Sequence, residues 1–200
     1  LNRSFSQVSR QLAEVYKGLG EMQTLAAGVG DLKKVLSNVK TRGILGEIQL
    51  GAILQELLTP DQYAENIATR PGSTQRVEFA LKLPGDGEQP VWMPIDAKYP
   101  ADAYEALLDA YDTADPAQVD AAAKELDRRV RSFAKDIHDK YIEPPATTDF
   151  GVMFLPVEGL YAEVVRRGTA QRIQQDYKVV VAGPTTMSAL LNSLQMGFRT

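Results

Sequence analysis

The stretch VEFALKLPGDGEQPVWMPIDAK, residues 77–98, decides how this chain reads. Two runs rich in branched and aromatic residues flank PGDGEQP (84–90), which predicts a β-hairpin with a longer, glycine-bearing loop. With Pro84–Pro90 as the connection, Leu83 faces Val91, and every opposed pair further along follows by counting. Counting on sets Glu78, at the start of the first strand, directly across from Asp96, at the end of the second. Side chains at i and i+2 share one face of a strand, so Lys98 stands beside Asp96 and diagonal to Glu78.

Facing carboxylates repel, and directly opposed like charges weaken a hairpin. One of the two would keep its proton unless a cation sat between them. A hard divalent ion removes the conflict. Mg²⁺ suits the donors because it takes one or two carboxylates, keeps waters and completes its shell with substrate phosphate; Mn²⁺ is the natural substitute. Lys98 neutralising one acid, as in any salt-bridged strand end, answers the same conflict without metal.

A third acid, Glu47, lies on the helix predicted over Ile44–Leu58, entered through Arg42-Gly43 and stopped by Thr59-Pro60. A carboxylate near a helix start is favoured by the dipole alone. If that helix packs on the hairpin, Glu47 points toward Glu78 and Asp96.

Residues 61–75 read as a polar connection. Residues 102–140 are helical in pattern, with Leu126, Val130, Phe133, Ile137 and Tyr141 as a buried stripe. Arg128, Arg129, Arg131 and Lys135 lie off that stripe, as solvated surface or as a DNA contact. FGVMFLP (150–156) and YKVVVAG (177–183) are continuous apolar runs, the mark of strands covered on both faces. A helix over 158–174 separates them, which implies a parallel crossover, and a last helix runs from Pro184 through Met196. Glu158 stabilises a helix start or stands at the rim of a cleft. Thr185 and Thr186 either cap the last helix or offer a phosphate their hydroxyls and amides.

Upstream, Phe5, Val8, Leu12, Val15, Leu19, Met22, Leu25, Val29, Leu32, Leu36 and Val39 form a heptad seam with one stammer. Gly18, Gly20, Gly28 and Gly30 are points where that helix bends or breaks. The segment is expected to be the end of a coiled coil that oligomerises or spaces the protein, or else to pack back on the domain.

Composition narrows the chemistry. Two hundred residues, 44% hydrophobic, can bury one domain plus an appendage. The absence of cysteine excludes disulfides and thiolate metal sites, and fits a reducing, cytoplasmic setting. A single histidine, His138, excludes any mechanism needing two imidazoles, so carboxylates and lysines must carry whatever chemistry there is. Residues 1–46 hold seven Lys/Arg against three acids, a balance of +4, and the remainder carries −8. That acidic domain is a poor nonspecific nucleic-acid coat but suits a metal holder that meets phosphate over a limited patch. No stretch approaches the roughly 20 apolar residues a bilayer needs. The chain starts at Leu1 in what reads as mid-helix, so a piece of a longer protein is expected.

An acid on a helix, an acid on one strand and D-x-K on the next resembles the PD-(D/E)XK nuclease superfamily. The element order resembles its αβββαβ core, with a mixed sheet and a helical insertion after the D-x-K strand. More narrowly, VKTRGILGEIQL (39–50), VEFALKLP (77–84), PIDAKYP (94–100), FLPVEGLYAEV (154–164) and VVVAGPTTMSALL (179–191) resemble the RmuC family of bacterial DNA recombination proteins. The resemblance implies an α/β, restriction-endonuclease-like domain over residues 41–200 behind a coiled-coil-like segment over 1–40. It implies a metal-dependent deoxyribonuclease that limits DNA rearrangement, or a DNA-binding scaffold that has kept the fold and lost turnover. Matched by position, Glu78 and Asp96 are the Mg²⁺-binding pair, Glu47 the helix acid that binds a second metal or positions its water, and Lys98 the catalytic lysine. It further implies DNA as partner, self-association through the upstream helix, and a cytoplasmic domain anchored to the inner membrane by a segment outside this chain. One departure matters: the family usually has aspartate where Glu78 stands, and the extra methylene shifts how the carboxylate reaches.

Overall fold

The computed structural model describes residues 39–198. The coiled-coil-like segment expected over residues 1–40 lies outside the described residues except for its last two, and Gly43–Thr200 forms one compact unit. Helix α1 spans Val39–Leu57: it ends before Thr59-Pro60, as the stop signal predicts, but starts five residues before the expected Ile44, so Glu47 lies in mid-helix, beyond the first turn where the dipole would favour it. A single 3₁₀ turn, Pro60–Gln62, follows, closed by Gln62, whose side chain accepts the Thr59 amide at 2.8 Å.

Five strands form one mixed sheet: β1 Tyr63–Ile67, β2 Val77–Leu83, β3 Val91–Ala97, β4 Gly151–Phe154 and β5 Val179–Ala182, in spatial order β1-β2-β3-β4-β5. The first three are antiparallel neighbours, while β4 pairs parallel to β3 and β5 parallel to β4. The hairpin register is the one counted from the loop: Leu83 faces Val91 and Phe79 faces Ile95. Pro94 sits inside β3 although proline cannot donate to a ladder. It is tolerated because pairing with β4 begins only at Ile95, opposite Val152.

Three further elements differ from the sequence reading. The connection over 61–75 contains β1, a half-exposed strand at the sheet edge, too polar to announce itself. The helical stretch 102–140 is two helices, α2 Ala101–Thr113 and α3 Pro116–Tyr141, parted at Ala114, which adopts a left-handed φ of 55°. Asp115 caps α3 by accepting the Ala117 amide at 3.0 Å, with Pro116 in the first turn. The helix over 158–174 is likewise two, α4 Glu158–Arg166 and α5 Thr169–Tyr177, parted by Gly168 at φ 78°. Helix α6, Pro184–Phe198, closes the fold.

The helices divide between the two faces. Leu50 and Leu54 of α1 and Met187 and Leu191 of α6 pack on Phe79, Leu81, Met93, Ile95, Val152 and Phe154. Helices α2 to α5 cover the other face, with Leu107, Leu126, Val130, Ile137, Leu160 and Ile173 against Met153 and Val179. Each fully buried leucine or isoleucine contributes roughly 1.5–3 kcal/mol through removal from water. His138 ties this layer together through Nδ1, 2.9 Å from the Tyr177 carbonyl. Among the described residues, no helix is long and apolar enough to cross a membrane.

One contact between α2 and α4 makes a direct prediction. A Cβ built on Gly159 would lie 2.3 Å from the Tyr104 hydroxyl, so only glycine lets α4 start where it does. Gly159→Ala is expected to lower stability by about 1–3 kcal/mol, as overpacking does. Tyr104→Phe in the same background should recover most of the loss, because the next ring atom is 3.5 Å away. Urea denaturation of the single and double variants checks both.

Candidate active site

Asp96 pairs in register with Met153, which belongs to the α2–α5 core, so its side chain turns to that face. It is only 3% exposed. The next rung beyond Phe79–Ile95 brings Glu78 across from it on the same face. Lys98 Nζ lies 3.1 Å from Asp96 Oδ2, and its side chain is 30% exposed. The ammonium also sits 5.5 Å over the centre of the Phe133 ring, a cation–π contact from α3. At the strand end the Ala97 amide donates to Glu78 Oε2 at 3.0 Å, and the Lys98 amide donates to the Phe154 carbonyl at 2.9 Å.

Glu47 joins the pair from the opposite helical layer. Gly46 is buried, and a Cβ there would lie 3.3 Å from Pro156 Cγ and 3.9 Å from Ala97 Cβ. A Cβ on Gly51 would likewise lie 3.2 Å from Phe79 Cζ. These glycines let α1 lie tight against the ends of β3 and β4. Glu47 thereby comes within hydrogen-bonding reach of Glu78 around the end of the sheet.

The electrostatics follow from crowding. Burial first, then the negative charge of Asp96 and the Glu47 carboxyl, push Glu78 up to about 9, against the Ala97 amide that favours its charged form. Asp96 is also raised, by burial foremost, with Lys98 opposing the shift. At neutral pH the pair therefore retains a proton, as two acids in one poorly solvated site must.

Sequence reasoning assigned Phe133 and Tyr141 to a buried stripe. The buried face of α3 keeps Leu126, Val130 and Ile137 from that stripe and adds Ala123 and Ala134, while the two aromatics are only partly covered. Burial, then the charges of Asp96 and Glu78, push the Tyr141 phenol up to about 12.

Other candidates fall elsewhere. Glu158 Oε1 accepts the Thr185 amide at 2.6 Å, so it stabilises the start of α6 as well as standing at that of α4. Thr186 Oγ1 accepts the Gly183 amide at 2.7 Å, a cap, so the phosphate reading of this turn loses the amides of Gly183 and Thr185. The basic face of α3 is neutralised: Arg128 pairs with Glu125, Arg129 with Asp102, Arg131 with Asp127 and Lys135 with Asp139. Among the described residues, no three His, Asp or Glu side chains are arranged as a ready metal cage. The facing pair is what the fold offers a cation.

The RmuC family model matches residues 1–200. Two curated proteins called DNA recombination protein RmuC homolog, from Xylella fastidiosa strains Temecula1 and 9a5c, are each 57% identical over 203 residues. The alignments take in 100% of this chain and 44% of each relative, so the chain spans less than half the length of the curated proteins it matches. No solved structure matches it. A matched family model along the whole chain, with that identity behind it, means that the chain belongs to the RmuC family.

Proposed function

We propose that this domain is a metal-dependent phosphodiesterase acting on DNA, built on the restriction-endonuclease-like αβββαβ plan. The observation that carries this reading is the convergence of Glu78, Asp96, Lys98 and Glu47 at one end of the sheet. The plan itself is supported by α1 followed by three antiparallel strands, the acids on the second and third, and a parallel fourth strand beside the D-x-K strand. The relatives' name, DNA recombination protein, supports DNA as the substrate.

The donor set fits a hard divalent ion. Both facing groups offer oxygen only, and their repulsion needs a proton or a cation to resolve. Glu78 and Asp96 would hold Mg²⁺ or Mn²⁺, the remaining positions going to water and phosphate. A bound ion would supply charge neutralisation at the phosphate and a more acidic water. Lys98 offsets negative charge growing on the phosphate oxygens and orients the attacking water. Glu47, through its contact with Glu78, orients water on the helix side of the pair. The upstream segment would join copies of the protein and lead to an inner-membrane anchor, leaving this domain in the cytoplasm.

A second reading, a DNA-binding scaffold without turnover, is favoured by one observation. Lys98 and the Ala97 amide already satisfy much of the acid pair, which can persist without metal. The deciding experiment incubates the protein with single-stranded, duplex and branched DNA under Mg²⁺ or Mn²⁺, beside Lys98→Met. Cleavage that needs metal and falls at least about a hundredfold in the variant, with Mg²⁺ affinity retained, is the expected outcome. A metal-raised Tm with no cleavage of any DNA form would leave the scaffold standing.

A further inference from the structure

We propose that Arg76 binds the phosphate adjoining the scissile one, holding the DNA strand on the β1 side of the acid pair. The assignment rests on the reading of the acid pair as a phosphodiester site and extends that site along the strand.

Strand register places the arginine. Arg76 precedes Glu78 by two residues, one position outside β2, so its backbone lies about 7 Å from that of the acid, at the same end of the sheet. On β1, the pairs Glu65–Phe79 and Ile67–Val77 bracket Asn66, which therefore falls across from Glu78. The Asn66 carbonyl accepts a hydrogen bond from Arg76 Nη1 at 3.1 Å. The guanidinium thus stands at the Glu78 rung on the β1 side, while Lys98 stands by Asp96 on the β3 side.

Its charge is spare. Every other arginine between residues 43 and 198 pairs with an acid. Arg76 is exposed and, among the described residues, forms no ion pair. Glu78, two residues on, accepts the Ala97 amide instead.

The loop that carries it is built to stay in place. The Ser73 amide donates to the Arg70 carbonyl at 3.1 Å around Pro71 and Gly72, the latter at φ 75°, a type II turn. Ser73 Oγ accepts the Gln75 amide, and the buried Thr69 hydroxyl donates to the Tyr141 carbonyl at 2.7 Å. Asn66 itself keeps a left-handed φ of 50°, a conformation asparagine tolerates better than most residues. A cation held in position beforehand loses little freedom when its partner arrives.

DNA provides that partner. A strand that brings one phosphodiester to Glu78 and Asp96 carries charged phosphates on either side. The chain from residue 47 onward has a balance of −8, so a flanking phosphate is repelled there unless a cation meets it. The arginine fork can take two oxygens of one phosphate.

The test measures binding of a short fluorescent single-stranded oligonucleotide in Ca²⁺, which takes the oxygen ligands without supporting turnover, over a series of salt concentrations. Arg76→Gln should weaken binding about tenfold, the scale of a hydrogen bond to a charged group. It should also flatten the slope of log K against log salt by about 0.7, one phosphate contact on a single strand. Arg76→Lys should restore the slope and only part of the affinity. Lys82→Gln removes the same charge near the far end of β2 and should change neither. Ca²⁺ affinity and Tm should hold in all three variants. An unchanged slope in Arg76→Gln would mean no phosphate contact, and an equal loss in Lys82→Gln would mean an effect of net charge; both overturn the assignment. Asp96→Asn separates the two levels. If it removes Ca²⁺-dependent binding while Arg76→Gln has no effect, the arginine alone is discarded. If wild-type binding is absent or indifferent to Ca²⁺, the phosphodiester reading fails and takes this one with it.

Discussion

Asp96→Asn is expected to abolish Mg²⁺ binding and DNA cleavage together while the protein stays folded. Asparagine matches aspartate in shape, so the 3%-exposed site around it is neither emptied nor overfilled. The Lys98 ammonium that loses its partner is already 30% exposed and can be solvated. What disappears is one of two facing charges, and with it the repulsion that makes a divalent ion favourable there. Glu78 alone, tied to the Ala97 amide, is a single monodentate site of ordinary weakness. Cleavage should fall at least about a thousandfold, roughly 4 kcal/mol of barrier. Calorimetric Mg²⁺ titration and a gel cleavage assay report the two effects separately. Full Mg²⁺ affinity in the variant would show that the ion, if any, sits elsewhere.

The second large effect concerns pH. Glu78 is pushed up to about 9 in the folded protein against an ordinary value of 4.5. Between those values the folded state binds the extra proton, so stability falls as pH rises through that window. Below about pH 4.5 both states are protonated and the dependence vanishes. Glu78→Gln fixes the group in a neutral, isosteric form, and Glu78's share of the fall should disappear, leaving the smaller part that the burial of Asp96 causes. At pH 9 the variant should melt several degrees above the metal-free wild type, about 4–8 °C if some 2 kcal/mol is involved. Near pH 5 the two should melt together. Metal should protect the wild type at high pH and leave the variant nearly unmoved. A wild-type Tm that stays flat or rises between pH 5 and 9, relative to the variant, contradicts the shared proton.

Legibility of the fold and site tracked how locally each feature is determined. The hairpin register was accessible because it needs only a loop and integer counting, and Glu78, Asp96 and Lys98 came with it. Glu47 was reached only on the condition that its helix packs on the hairpin, and the condition is met through Gly46, which fits against Pro156 and Ala97, contacts no local pattern announces. Strand β1 was not accessible: YAENI has little apolar alternation, and an edge strand buries too little to require it. The break at Ala114 was legible in hindsight, since Asp115-Pro116 is a helix-start signature. Ion pairing on α3 was hidden because Asp102 is 27 residues from Arg129, and the long-range neighbour decides whether a charge is free. Tyr141 was hidden because a stripe position says which way a side chain leans but not whether the stripe still covers it at the helix end.

The hairpin that sets the acids opposite each other also dictates what the lineage can tolerate. Lengthening PGDGEQP by a residue or two changes the turn and leaves every rung matched from Leu83–Val91 inward. A one-residue deletion between Phe79 and Leu83 would carry Glu78 to the opposite face of the sheet, among Leu50 and Leu54, where no cation could meet it. Drift in this region should accumulate as loop-length variation at the tip, with the strand lengths frozen.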